Sequence, residues 1–224
     1  MATNLDLQEQ EQLDELKAFW KQYGNLITWT LTLVLAGFAA WNGWNWWQRE
    51  QGAKAGAMFD DLDRAVQAGN ADQAGRVFAD LKERFGGTTY AQQAGLLTAK
   101  LQADKGQADA AQATLNWVAD KASDDEYRAL AHLRLSALAL DKKAYDEALK
   151  QVDAIKSPEF AALANDRRGD ILLAQGKKAE AIKAFDAAWK ALGEQLDYRR
   201  VVEAKLTSLG AAPEADKPAS GVAP

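Results

Sequence analysis

The sequence predicts an all-α chain: an N-terminal transmembrane helix followed by an α-solenoid of about four helix hairpins plus a capping helix. Three observations carry this expectation. Residues 26–47 hold no Asp, Glu, Lys or Arg. A pattern of turn residue, an Ala five positions later, and apolar residues at +4 and +7 from that Ala recurs four times between residues 53 and 193. No window alternates with the period of two that a half-buried strand requires.

The charge-free run comes first. As a helix rising ~1.5 Å per residue it reaches ~33 Å, enough for a hydrocarbon core of ~30 Å. Its centre is Leu31, Leu33, Val34, Leu35, Ala36, Phe38, Ala39 and Ala40. Thr28, Thr30 and Thr32 can return their hydroxyls to carbonyls one turn back. Six of the eight tryptophans lie in or beside the run, Trp20 and Trp29 towards one end and Trp41, Trp44, Trp46 and Trp47 at the other. An indole with an apolar ring and a polar N–H favours a membrane interface, so this clustering separates a membrane span from a buried soluble helix. The leader carries Asp6, Glu9, Glu11, Asp14 and Glu15 against Lys17 and Lys21. That is unlike a cleaved signal peptide and fits an uncleaved anchor. Lys17 and Lys21 before the span and Arg49 and Lys54 after it nearly balance, so charge alone does not orient it.

The repeats follow. Gly69 precedes Ala74, Phe78 and Leu81; Gly106 precedes Ala111, Leu115 and Val118; Lys143 precedes Ala148, Val152 and Ile155; Gly176 precedes Ala181, Phe185 and Ala188. Successive alanines lie 37, 37 and 33 residues apart, the length of a helix hairpin. A small Ala lets two antiparallel helices approach, and +4 and +7 place the next contacts on the same face. The expected helices are 53–68, 71–85, 89–105, 107–120, 126–141, 144–156, 159–175 and 178–192, with a capping helix over 195–208. Asn70 with Gln73, and Ser123 with Glu126, have capping-box spacing. Ser157-Pro158-Glu159 supplies an N-cap, a proline at the first helical position and an early acid. The domains are then a leader over 1–25, a signal anchor over 26–47, the repeat domain over 48–208, and a Pro- and Ala-rich tail over 209–224 that lacks the apolar surface to order itself.

Composition and motifs exclude most chemistry. A net charge of −5 leaves no surplus of Lys and Arg for phosphates, which argues against nucleic acid. With no cysteine there is no disulfide, thiol nucleophile or thiolate metal site. The one histidine, His132, has no second His or Cys with which to hold a metal. Acids at Asp60, Asp61, Asp63 and at Asp124, Asp125, Glu126 are neighbours in sequence and point different ways on a helix. The basic pairs Lys142-Lys143, Arg167-Arg168, Lys177-Lys178 and Arg199-Arg200 are dispersed among acids. No phosphate-binding loop, nucleophile elbow or metalloprotease motif occurs, so no catalytic residue, metal ligand, cofactor or small-molecule substrate is expected. The register of the four alanines brings Phe59, Leu96, Leu133 and Asp166 to equivalent positions on the first helices, the candidate partner groove. The same positions would equally suit packing between repeats.

The spacing is similar to the tetratricopeptide repeat, best over 163–193, where Gly169, Leu172, Gly176, Ala181, Phe185 and Ala188 fall in matching places and Asn165 replaces the usual Trp. At a larger scale the chain resembles the bacterial ancillary SecYEG translocon subunit family. The features shared are the acidic leader ending in Leu16-Lys17-Ala18-Phe19-Trp20, the Trp-rich span end at 41–47, and the run from Ala164 to Lys177 with Asp166, Arg168, Gly169, Asp170, Leu172, Leu173 and Gly176. The resemblance covers roughly residues 10–208. It implies a non-enzymatic inner-membrane protein with a cytoplasmic N-terminus and a periplasmic repeat domain. It also implies association with the SecYEG translocon and periplasmic chaperones, transfer of emerging polypeptides, and a link to envelope stress. A scaffold for envelope assembly, cell division or stress response, without translocon contact, shares the same organisation.

Overall fold

The computed structural model describes residues 7–193 and 197–213. Among these it is helical throughout, with no strand. The first helix, α1 (Leu7–Gln67), contributes to both of the compact units into which the chain divides, Met1–Ala53 and Lys54–Pro224.

In the first unit α1 carries a stretch long and apolar enough to cross a membrane. Its large side chains stand exposed, Leu33 at 68% and Phe38 at 66%. Four polar side chains inside the stretch are satisfied within the helix. Thr28 donates to the Gly24 carbonyl, Thr30 to Leu26 and Thr32 to Thr28, each at 2.8 Å, and Asn42 Nδ2 donates to Phe38 at 2.9 Å. Hydrocarbon offers no replacement for those partners, so internal bonds are what let such residues remain there. Trp44 and Trp47 touch, their ring centroids 5.3 Å apart.

The second unit begins with the end of α1 and continues as α2 (Ala71–Phe85), α3 (Thr89–Asp104), α4 (Ala108–Lys121), α5 (Asp125–Asp141), α6 (Tyr145–Asp153), α7 (Ala161–Ala174), α8 (Lys178–Ala191) and α9 (Asp197–Ser208). The hairpins are α1 with α2, α3 with α4, α5 with α6 and α7 with α8. Their apolar faces form successive cores rather than one. Leu62, Phe78, Leu81 and Ala94 make the first, Leu96, Leu115, Val118 and Leu135 the next, Ala148, Val152 and Ile171 a third, and Ala181, Phe185, Val202 and Leu206 the last. The register alanines Ala74, Ala111, Ala148 and Ala181 are completely buried. Twelve residues before each stands Leu62, Ala99, Ser136 or Gly169, on the facing helix. At Gly169 the approach is tight: a Cβ there would lie 2.5 Å from the Phe185 ring.

The turns repeat one geometry. Gly69, Gly106, Lys143 and Gly176 all have positive φ, between 56° and 78°. At each, the next residue's N–H returns to a carbonyl five residues back, as in Asn70 to Ala65 at 2.9 Å and Ala144 to Ala139 at 2.8 Å. This is the Schellman closure, which requires a left-handed residue and therefore favours glycine. Gly210, at φ 76°, ends α9 in the same way, with Ala211 N–H on the Leu206 carbonyl at 3.0 Å.

Local signals account for most helix starts, with two differences. Asn70 Oδ1 accepts from Gln73 N–H at 3.0 Å as expected. At the next predicted cap the structure uses Asp124, which accepts from Glu126 N–H at 2.9 Å. Ser123 stays exposed and instead accepts a bond of 2.8 Å from buried Gln92 of α3. Ser157 opens a 3-10 turn, Pro158–Phe160, before α7. Its hydroxyl donates to Glu159 at 2.7 Å rather than capping the backbone. The start of the leader (1–6), the link 194–196 and the tail from residue 214 lie outside the described residues.

Candidate partner-binding face

The four register positions sit on α1, α3, α5 and α7, and each has a different environment. Phe59 is half-buried, its ring 5.6 Å from that of Tyr90. Leu96 is 5% exposed and packs with Leu115, Ala119 and Ala131 in the second core. Its carbonyl accepts from Arg134 Nη1 at 2.6 Å. Leu133 is 9% exposed. Asp166 is 3% exposed, yet its carboxylate is fully engaged. It accepts from Tyr198 at 2.7 Å and from Lys205 at 2.8 and 2.9 Å, both on α9. The register thus runs from a half-open aromatic at one end to a covered carboxylate at the other.

Beside these positions the first helices leave a crevice of about 300 Å³ between α3 and α5. Small side chains make the room: Ala99 and Ala103 on one helix, Ala137 on the other, with Leu115 and Leu138 adding apolar surface. Lys100, Asp104, Arg134 and Asp141 supply the charge. Lys100 pairs with Asp104 at 2.7 Å. Burial pulls the Arg134 guanidinium below its usual range, partly opposed by Asp104. An apolar floor with charged walls suits a protruding side chain of a polypeptide better than a small polar metabolite.

Sequence reasoning identified the register and missed this crevice. The available signal was the set of alanines four and further residues apart on facing helices. Arg134 was hidden because its partner is a main-chain carbonyl 38 residues away. Gly95 also went unread: a Cβ there would stand 2.5 Å from Val118 and 3.1 Å from Phe78. The remaining motifs have ordinary surroundings. His132 Nδ1 lies 2.7 Å from Gln151 Oε1, bridging α5 and α6. A polar trough of about 550 Å³ lies between 123–126 and 156–159. There the Ser157 hydroxyl holds the Glu159 carboxyl below the usual carboxylate range, helped by the backbone N–H of Glu159 itself.

Comparison with known proteins agrees with this architecture. The family described as tetratricopeptide repeat-like domain matches residues 17–211. The ancillary SecYEG translocon subunit of Haemophilus influenzae is 30% identical over 205 residues, covering 91% of this chain and 98% of its own. That of Neisseria gonorrhoeae is 29% identical over 204 residues, with the same shares covered. The Escherichia coli protein of the same name is 30% identical over 184 residues, 81% of this chain and 87% of its own. Among solved structures, MamA from Desulfovibrio magneticus, residues 41 to the end, superposes with a TM-score of 0.51 at 18% identity, covering 71% of this chain and 89% of that one. That likeness concerns the fold alone.

Proposed function

Because the chain belongs to the ancillary SecYEG translocon subunit family, we propose that it is a membrane-anchored adaptor that works beside the translocon. The observation that carries this reading is one apolar, tryptophan-flanked helix joined to a repeat domain, in a chain that matches relatives named for the translocon over nine-tenths of its length. The anchor confines the solenoid to the membrane surface and raises its effective concentration at a membrane partner without any strong contact.

In this reading residues 26–47 span the bacterial inner membrane once, residues 1–25 remain cytoplasmic, and the solenoid over 48–208 faces the periplasm. There it receives translocated segments and passes them to periplasmic chaperones. The receiving face is the α3/α5 crevice, which opens beside the register of Phe59, Leu96 and Leu133. Support comes from the apolar floor and charged walls of that crevice, which give an anchor for a side chain and a polar rim for a main chain.

Photo-crosslinking from Ala103 and Ala137 in intact cells tests the partner. SecYEG subunits among the products are the expected result. Envelope-assembly or division proteins without them would replace the translocon reading by that of a scaffold. Protease added to spheroplasts tests the topology, and cleavage of the solenoid is expected. Protection would place it in the cytoplasm.

A further inference from the structure

Asp166 is the odd member of the register, a carboxylate where the other three positions hold Phe59, Leu96 and Leu133. It is covered by the chain itself. Tyr198 and Lys205 of α9 bind it, Lys205 also reaches Asp170 at 2.8 Å, and its Nζ stands 5.1 Å from the Phe185 ring centroid. Val202 and Leu206, four residues apart, are buried against Ala181, Ala184, Phe185 and Ala188. We propose that α9 is a displaceable self-ligand: it occupies the last register of the partner face and yields to a partner helix bearing two aliphatic residues four apart with a lysine directly before the second. The proposal rests on the face being the receiving surface.

Two features make α9 the element that opens. It buries only two side chains fully, Val202 and Leu206, and its polar anchors, Tyr198 and Lys205, both converge on Asp166. Elements held by few apolar contacts open before the core does. The ion cluster does not lock it shut, because Asp166, Asp170 and Lys205 regain water on opening, which offsets much of their attraction. The cluster selects instead. A segment that brings a lysine keeps Asp166 paired, whereas one that lacks it leaves a buried carboxylate uncompensated, a heavy penalty against that competitor. Charge complementarity therefore specifies the occupant.

Hydrogen exchange on the full-length chain in detergent micelles reads the opening. Amides of 197–208 should exchange at least about tenfold faster than those of α7 and α8. Val202→Ala should widen the gap by roughly another tenfold with α7 and α8 unchanged, since it removes apolar contact without stranding a charge. Tyr198→Phe is the milder form for use if Val202→Ala loosens the whole last hairpin. A synthetic peptide of residues 197–211 should then bind the Val202→Ala chain, and the same peptide with Lys205→Glu should not. Exchange of α8 and α9 as one unit, or equal binding of both peptides, would overturn the proposal. Dimerisation of the Val202→Ala chain would assign the vacated site to a second copy and overturn the partner helix. None of these readouts needs the translocon. The face itself is tested separately, by loss of translocon crosslinking in a folded Leu96→Ser, Leu133→Ser chain.

Discussion

Gly169 faces Phe185 so closely that one methyl group would have to displace an aromatic ring. Gly169→Ala should therefore destabilise the repeat domain by about 1–3 kcal/mol in urea or thermal unfolding, against the usual gain from Ala over Gly inside a helix. Gly95→Ala should behave alike, because Val118 and Phe78 occupy the same kind of space. Ala181→Leu tests the register alanine directly. It should cost about 1–3 kcal/mol, while exposed Lys183→Leu should change stability little. Equal effects at 181 and 183 would mean that the alanine periodicity does not define the hairpins. Lys143 is the opposite case, a β-carbon at φ 56° where the other turns carry glycine. Lys143→Gly should raise stability by about 0.5–1 kcal/mol by relieving the left-handed strain. The sequence marked position 143 as a turn by its spacing, but only the backbone reveals that it bears the strain.

The helices were legible because both their periodicity and their turn residues are local. Expected and observed bounds agree closely from α2 to α5. Where the reading departed, a distant partner had intervened, as when Gln92 drew Ser123 away from the cap and left it to Asp124. Asp124→Ala should cost about 1 kcal/mol through the lost cap. The site was less legible. The equivalence of Phe59, Leu96, Leu133 and Asp166 follows from counting, but the cover over Asp166 depends on Lys205, 39 residues away on another helix. No local pattern announces such a pair. Tyr198 gives α9 a measurable signature. Burial, the bond to Asp166 and nearby carboxylate charge push its phenol above the ordinary value. With the folded pKa above the unfolded one, this contribution is complete below about pH 10 and fades as pH rises past it. Protection of α9 amides should thus fall in that alkaline range, and Tyr198→Phe should reduce the dependence.

For the molecule as a whole, the boundary between span and solenoid is the feature most open to direct test. Removing residues 1–48 should leave a soluble, helical fragment of monomer size by circular dichroism and size-exclusion chromatography, because the described solenoid cores begin at Ala55. An insoluble fragment, or one without helical signal, would place the boundary elsewhere. The exit turn at Gly210 has a consequence of another kind. Repeats that touch only their neighbours behave as a row of coupled units, and the outermost member of such a row has a single neighbour to hold it. The geometry that begins each return helix is already in place at the end of α9. A transplanted copy of residues 178–192, joined after that turn, should extend the array by half a repeat, raise its melting temperature and hold α9 shut. The repeat domain would gain stiffness at α9 and lose whatever depends on that helix fraying.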